Sequence, residues 1–155
     1  MDKVLWKVPV HKQKTAKLCW EACARMMWHW RFKNLNNYKS KAGSYLSLSK
    51  GLEEPEMDIF YKSLGLRSHS DPVGADLRLA LKGSPVIFDE ISADSTWGHA
   101  AVLVGFDGTT YVTINPCSTQ TVDFATDEVM CSHASHINRT IAAVEEPLGR
   151  YIWYW

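Results

Sequence analysis

Up to about residue 83 the apolar residues of this chain recur at three- and four-residue steps, and from Pro85 onward they fall in short β-branched and aromatic runs. That change of period limits the folds open to the chain. In the first half, Leu18, Ala22, Met26 and Trp30, with Cys19, Cys23 and Met27 beside them, predict a largely buried helix from about Thr15 to Arg31, with Thr15 as N-cap. The segment EEPEMDIFYKSLGL predicts a second helix, with Pro55 in its first turn, acids at its N-terminal end and Gly65 as its stop. GADLRLALKGS predicts a third, ending at Gly83, and the polar KNLNNYKSKAGS reads as loop or as a short helix followed by loop. In the second half, PVIFDEI, HAAVLVGF and TYVTIN read as strands, the last two joined by a tight turn at Asp107 and Gly108. A further strand is expected over Gln120 to Phe124, a short helix at TDEVMCS and a closing strand at RYIWYW. Helices first and strands afterwards make an α+β pattern, a helical N-terminal half packed on an antiparallel, sheet-rich C-terminal half.

A chain of 155 residues, 46% of them hydrophobic, has room for one core, so residues 1–155 are expected to form a single domain. Its 17 basic and 17 acidic side chains are scattered, which leaves no global field to attract nucleic acid or an anionic surface. Nothing in the sequence has the length and apolarity of a membrane span, and the opening MDKVLWKVPVHKQK has no signal-peptide core. Function therefore has to come from a local site. The four cysteines, Cys19, Cys23, Cys117 and Cys131, are spread through a chain that does not need stapling, so reduced thiols are the expectation, with Cys117 a loop cysteine.

One group of residues carries chemistry. A thiol becomes a good nucleophile only on losing its proton, and the N-terminal end of a helix, with open amides and a positive dipole, favours the anion. Cys19 has that position in the first predicted helix. Its base must come from elsewhere, and His99, opening the strand GHAAVLVGF behind Gly98, is the candidate. Asn115 follows His99 by sixteen residues, at the end of the next strand of the expected hairpin, where its side-chain oxygen can accept the second imidazole N–H. Gln13 precedes Cys19 by six residues, and its amide together with the Cys19 backbone N–H can receive a developing oxyanion. Cys23 reads as a core residue. Trp20, beside the nucleophile, reads as a wall of a substrate cleft, and Trp97, two residues before His99, as a substrate-side or flap aromatic of that cleft or as a packing residue.

Gln13, the step of six to Cys19, the pair Cys19–Trp20, the segment GHAAVLVGF and Asn115 after a step of sixteen resemble the papain-like cysteine peptidases in order, spacing and context. The segment KTAKLCWEACARMMWHW and the Ile114–Asn115–Pro116 triplet are closest to the short bacterial members, among them stand-alone effector proteases and bacteriocin-processing domains. The resemblance covers Gln13 to Pro116. It implies a papain-like fold and a Cys19–His99–Asn115 triad, with Gln13 in the oxyanion hole and a protein or peptide as substrate. Neither metal nor organic cofactor is implied. Other thiol acyl transfers, by an amidase, deamidase or transglutaminase-like enzyme, begin with the same thioester, and a non-catalytic interaction domain of the same fold is the alternative outside chemistry. Two thiols and two imidazoles, from Cys117, Cys131, His133 and His136, can in principle hold zinc, but their spacing fits no compact zinc motif. Because Gln13 stands close to the first residue, the expectation is an enzyme without an inhibitory prosegment, either a bacterial effector or toxin or a domain of a longer chain. Such a protein would be cytoplasmic in its producer or delivered by a specialised secretion system, and restrained by delivery or by a dedicated inhibitor or immunity protein.

Overall fold

The computed structural model describes residues 3–91, 98–126 and 128–155. Along the chain it has β1 (Val4–Leu5), α1 (Cys19–Phe32), α2 (Tyr38–Ala42) running into a 3₁₀ turn at Gly43–Ser47, α3 (Glu54–Ser63), β2 (Arg67–Ser70), α4 (Gly74–Leu81), β3 (Val86–Ile91), β4 (Gly98–Phe106), β5 (Thr110–Asp123), β6 (Glu128–Thr140), α5 (Ile141–Glu145) and β7 (Leu148–Tyr154). The strands form one antiparallel sheet in the order β2-β7-β3-β4-β5-β6, with β1 pairing β4 through Val4–Phe106 and Leu5–Gly105. This is the α+β architecture that the change of period implies.

Side chains alternate across β3 and β4, and the two faces of the sheet bury different helices. Ile87, Ala100, Val102 and Val104 pack with Trp20, Cys23, Met26 and Met27 of α1 and with Met57, Phe60 and Tyr61 of α3. Val86, Phe88, Ala101 and Leu103 pack with Leu77 and Leu81 of α4 and Val144 of α5. Each fully buried aliphatic or aromatic side chain contributes roughly 1.5–3 kcal/mol, so the α1 face alone holds the helix firmly against β4. At Gly105 the backbones of β1 and β4 come so close that a Cβ would lie 2.9 Å from the Val4 carbonyl oxygen.

The β4–β5 turn is capped as its sequence suggests. The Asp107 carboxylate accepts hydrogen bonds from the amides of Thr109 and Thr110 at 2.8 and 2.7 Å, and Gly108 takes φ 103°. Three expectations need correction. The first helix begins at Cys19 and not near Thr15, because residues 13–16 are drawn into extended pairing: the Gln13 amide donates to the Pro116 carbonyl (2.9 Å), Thr15 bridges Met130 and the Ala16 amide donates to the Val129 carbonyl (3.0 Å). TDEVMCS lies largely in β6 and is not helical, while the strand expected from Gln120 is the continuation of β5 as far as Asp123. Cys117 and Cys131 form a disulfide, with Cα atoms 5.3 Å apart, because β6 returns antiparallel beside β5. The zinc arrangement considered for Cys117, Cys131, His133 and His136 is not formed, since the two sulfurs are bonded to each other.

Candidate active site

Starting α1 at Cys19 puts the thiol at the first helical residue, where the amides of Cys19 and Trp20 have no carbonyl partner within the helix and are directed at the sulfur. A third amide comes from the sheet: Ala100 N–H donates to Cys19 Sγ at 3.4 Å. That contact fixes the sulfur beside the residue that follows His99. Burial dominates its acidity and pushes the thiol up to about 11, the three amides work in the opposite direction, and Asp89 adds to the rise. Burial thus favours the thiol form of Cys19, and the amides favour the anion. Cys23, one turn on, is fully buried in the core.

His99 projects from β4 on the face opposite Ala100. Its Nε2 lies 2.8 Å from Asn115 Oδ1, and the same oxygen accepts the Cys117 backbone N–H at 3.0 Å. A backbone amide can only donate, so the atom facing both groups is the amide oxygen, and His99 Nε2 must carry a proton. The other ring nitrogen, Nδ1, is then the basic one. Burial lowers the imidazole's pKa, which the Asn115 bond partly offsets, so the neutral ring is favoured. A cavity of about 180 Å³ borders the pair, lined by Thr113, Ile137 and the Arg139–Glu90 ion pair. These side chains flank the His99–Asn115 bond.

Gln13 is 1% exposed and its Nε2 donates to the Thr15 carbonyl at 2.7 Å. The reverse orientation of the amide would set two oxygens against each other, so Thr15 fixes which end is the donor. Oε1 has no partner among the described residues. Backbone bonds from Gln13 to Pro116 and from Cys131 to the Lys14 carbonyl (3.4 Å), with the Cys117–Cys131 disulfide, tie the Gln13 segment to the part of β5 that carries Asn115. Sequence reasoning missed this connection because it read the Cys131 segment as helical.

A cleft of about 550 Å³ opens over Cys19, lined by Trp20, Glu54, Met57, Asp89, Gly98 and Arg150 among others. Trp20 lines it as expected, but at 1% exposure its indole offers a ligand almost no surface; it packs edge-on against Phe60 and donates to the Lys50 carbonyl at 3.1 Å. Trp97 lies outside the described residues. Asp89 and Glu54 were not singled out by sequence; the only signal for Asp89 was that two adjacent acids, Asp89 and Glu90, interrupt the apolar run PVIFDEI, and nothing there said which of them is buried. A larger groove of about 900 Å³ lies on the other side of Leu18, lined by Tyr38, Tyr45, Leu46 and Met130, and does not include Cys19. No group of three His, Cys, Asp or Glu among the described residues is placed to hold a metal ion.

A thiol at a helix N-terminus, packed against the strand that carries a histidine, on this order of helices and antiparallel strands, defines a papain-like cysteine peptidase. The family model for the papain-like cysteine protease AvrRpt2 matches residues 4–128, and the chain belongs to that family. Solved structures agree on the fold. A C39-like peptidase from Bacillus anthracis superposes with a TM-score of 0.68 at 15% identity, over 100% of this chain and 98% of that one. A double-glycine-motif protease from an AMS/PCAT transporter, in complex with the leader peptide, gives 0.60 at 16% identity over 99% and 96%. A search of curated proteins finds no significant match.

Proposed function

We propose that this cysteine protease cleaves peptide bonds with Cys19 as nucleophile, His99 as base and acid, and Asn115 as the group that orients the ring. The observation that carries the assignment is the hydrogen bond from the Ala100 amide to Cys19 Sγ, which ties the sulfur to the backbone of the residue after His99, the histidine whose Nε2 is engaged by Asn115. Nδ1 of His99 takes the thiol proton as Sγ attacks the scissile carbonyl carbon. The resulting oxyanion is received by the Cys19 backbone N–H and the second amide hydrogen of Gln13. His99 returns the proton to the leaving nitrogen, the C–N bond breaks and a thioester remains. Water, deprotonated by His99, then attacks the thioester, releasing the acid and restoring the thiol.

A peptide substrate is supported by the cleft along Cys19 and by the leader peptide bound to the transporter protease of like fold. An effector or toxin role, with a dedicated inhibitor protein as restraint, belongs to the same proposal and rests on the resemblance to stand-alone bacterial effector proteases. The test is to express wild-type and Cys19→Ala protein in a target cell and map new protein N-termini across the proteome. The expected result is a set of cut sites and loss of viability that require Cys19. Equal toxicity of the two proteins would remove the effector role, and an unchanged set of N-termini would remove the peptidase assignment of this site.

A further inference from the structure

The wall of the Cys19 cleft contains a charged group that the reaction does not need. Asp89 lies on β3 opposite Ala100 of β4, on the face turned toward α1, two residues from the core side chain Ile87. It is 4% exposed, and what is exposed lines the cleft beside Cys19. Among the described residues its carboxylate has no hydrogen-bond donor and no ion-pair partner. Lys17 and Arg150, the two cations at the same cleft, do not bridge to it. Burying an unpaired carboxylate costs several kcal/mol, and an apolar side chain would extend the Ile87 face without that cost. Burial and the nearby Glu54 push the Asp89 carboxyl up to about 7, the behaviour of an acid that lacks its counter-charge.

Only a small part of this group faces the cleft, beside the Gly98 backbone and the Ile91 side chain. Its Oδ2 and Oδ1 lie 3.1 and 3.3 Å from where a Cβ would stand on Gly98, the exposed residue preceding His99. Any side chain at position 98 would crowd the carboxylate. Glu54, on α3 at the same cleft, is held in place by the backbone amides of Arg150 and Tyr151 at 2.7 and 3.1 Å, so a second acid is fixed near the first.

We propose that Asp89, approached over Gly98 and supported by Glu54, is the specificity-determining residue of the Cys19 cleft and binds a cationic nitrogen of the substrate. A lysine or arginine side chain, or a free peptide α-amine, supplies that nitrogen. The inference rests on the peptidase reading of Cys19 and adds the substrate class.

The experiment measures kcat/KM for peptides that carry lysine, arginine or the neutral isostere norleucine at each position before the cut bond, each with a free or acetylated N-terminus. Wild-type protein should prefer the cation at one position by about 10- to 100-fold, the range for a hydrogen bond to a charged group. Loss of the preference on acetylation identifies the α-amine; loss with norleucine identifies the side chain. Asp89→Asn should abolish the preference mainly through KM. Gly98→Ala, which keeps the acid but places a methyl against it, should reduce it. The readout is the ratio of cationic to neutral peptide, so a variant that folds poorly lowers both rates and leaves the ratio informative. Cleavage without cationic preference in wild type, or a preference retained in Asp89→Asn, overturns the inference and leaves the peptidase reading intact. Absence of any cleavage, with Cys19 also unlabelled by a neutral peptidyl vinyl sulfone, overturns both.

Discussion

On one face of the β3–β4 pair, Asn115 Oδ1 accepts two hydrogen bonds and locks His99 in a single tautomer; on the other, the Asp89 carboxylate accepts none from the described residues. The two groups are polar side chains of β5 and β3, the strands on either side of β4, and neither is exposed. The first arrangement is complete before substrate arrives, so it can position a proton without reorganisation. The second has no donor among the described residues, and on the role proposed for it a substrate cation supplies one. On the proposed roles, preorganisation on the chemical side and an unmet charge on the binding side would separate a group that acts in every turnover from one that selects what is turned over.

The sharpest way to break this comparison is to remove members of the reacting pair. Cys19→Ala and His99→Ala should each lower kcat by about 10⁴-fold or more, and by similar amounts, because thiol and base act as a unit. A His99→Ala enzyme with near-normal kcat would mean that the base is elsewhere. Gln13→Ala is expected to cost about 10²- to 10³-fold in kcat, the usual loss for one oxyanion donor. Kinetics that change only KM would reassign Gln13 to binding.

On the binding side, the expected effect is on stability. An acid whose folded pKa is raised to about 7 ionises first in the unfolded chain, so it destabilises the fold progressively as pH rises from about 4 to 7. Asp89→Asn should therefore stabilise the protein by up to about 4 kcal/mol at pH 8 and by little at pH 4, as read from urea unfolding at the two pH values. Asn115→Ala should have a smaller kinetic effect, about 10- to 100-fold, the range for losing a group that orients another. It should also move the acid limb of the kcat/KM profile to lower pH, because the lost hydrogen bond is the one that raises the His99 pKa. An acid limb that does not move would separate Asn115 from the titrating base.

Much of this molecule is legible in its sequence where local pattern and tertiary structure agree. The period of Leu18, Ala22 and Met26, the Pro55 start of α3 and the Asp107–Gly108 turn each act within a few residues, and the folded chain keeps them. Spacing alone also anticipated the pairing of His99 with Asn115, because a tight hairpin converts a sixteen-residue separation into adjacency. What was not legible depends on partners far along the chain. Thr15 has the chemistry of an N-cap, but its backbone is recruited by Met130, more than a hundred residues away, and the helix begins later. The Cys131 segment was read as helical, so β6 was missed, and a disulfide at Cys117, though open as an alternative, had no partner strand to point to. Asp89 was hidden because the cost of an unpaired charge is visible only once its burial is known.

The central claim is that His99 activates Cys19, and the alkylation rate of Cys19 tests it most directly. With iodoacetamide at pH 7, followed by mass spectrometry of the Cys19 peptide, the rate in wild-type protein should exceed that in His99→Ala by at least about 10-fold, since without a base the buried thiol stays protonated. Equal rates in the two proteins would contradict the account.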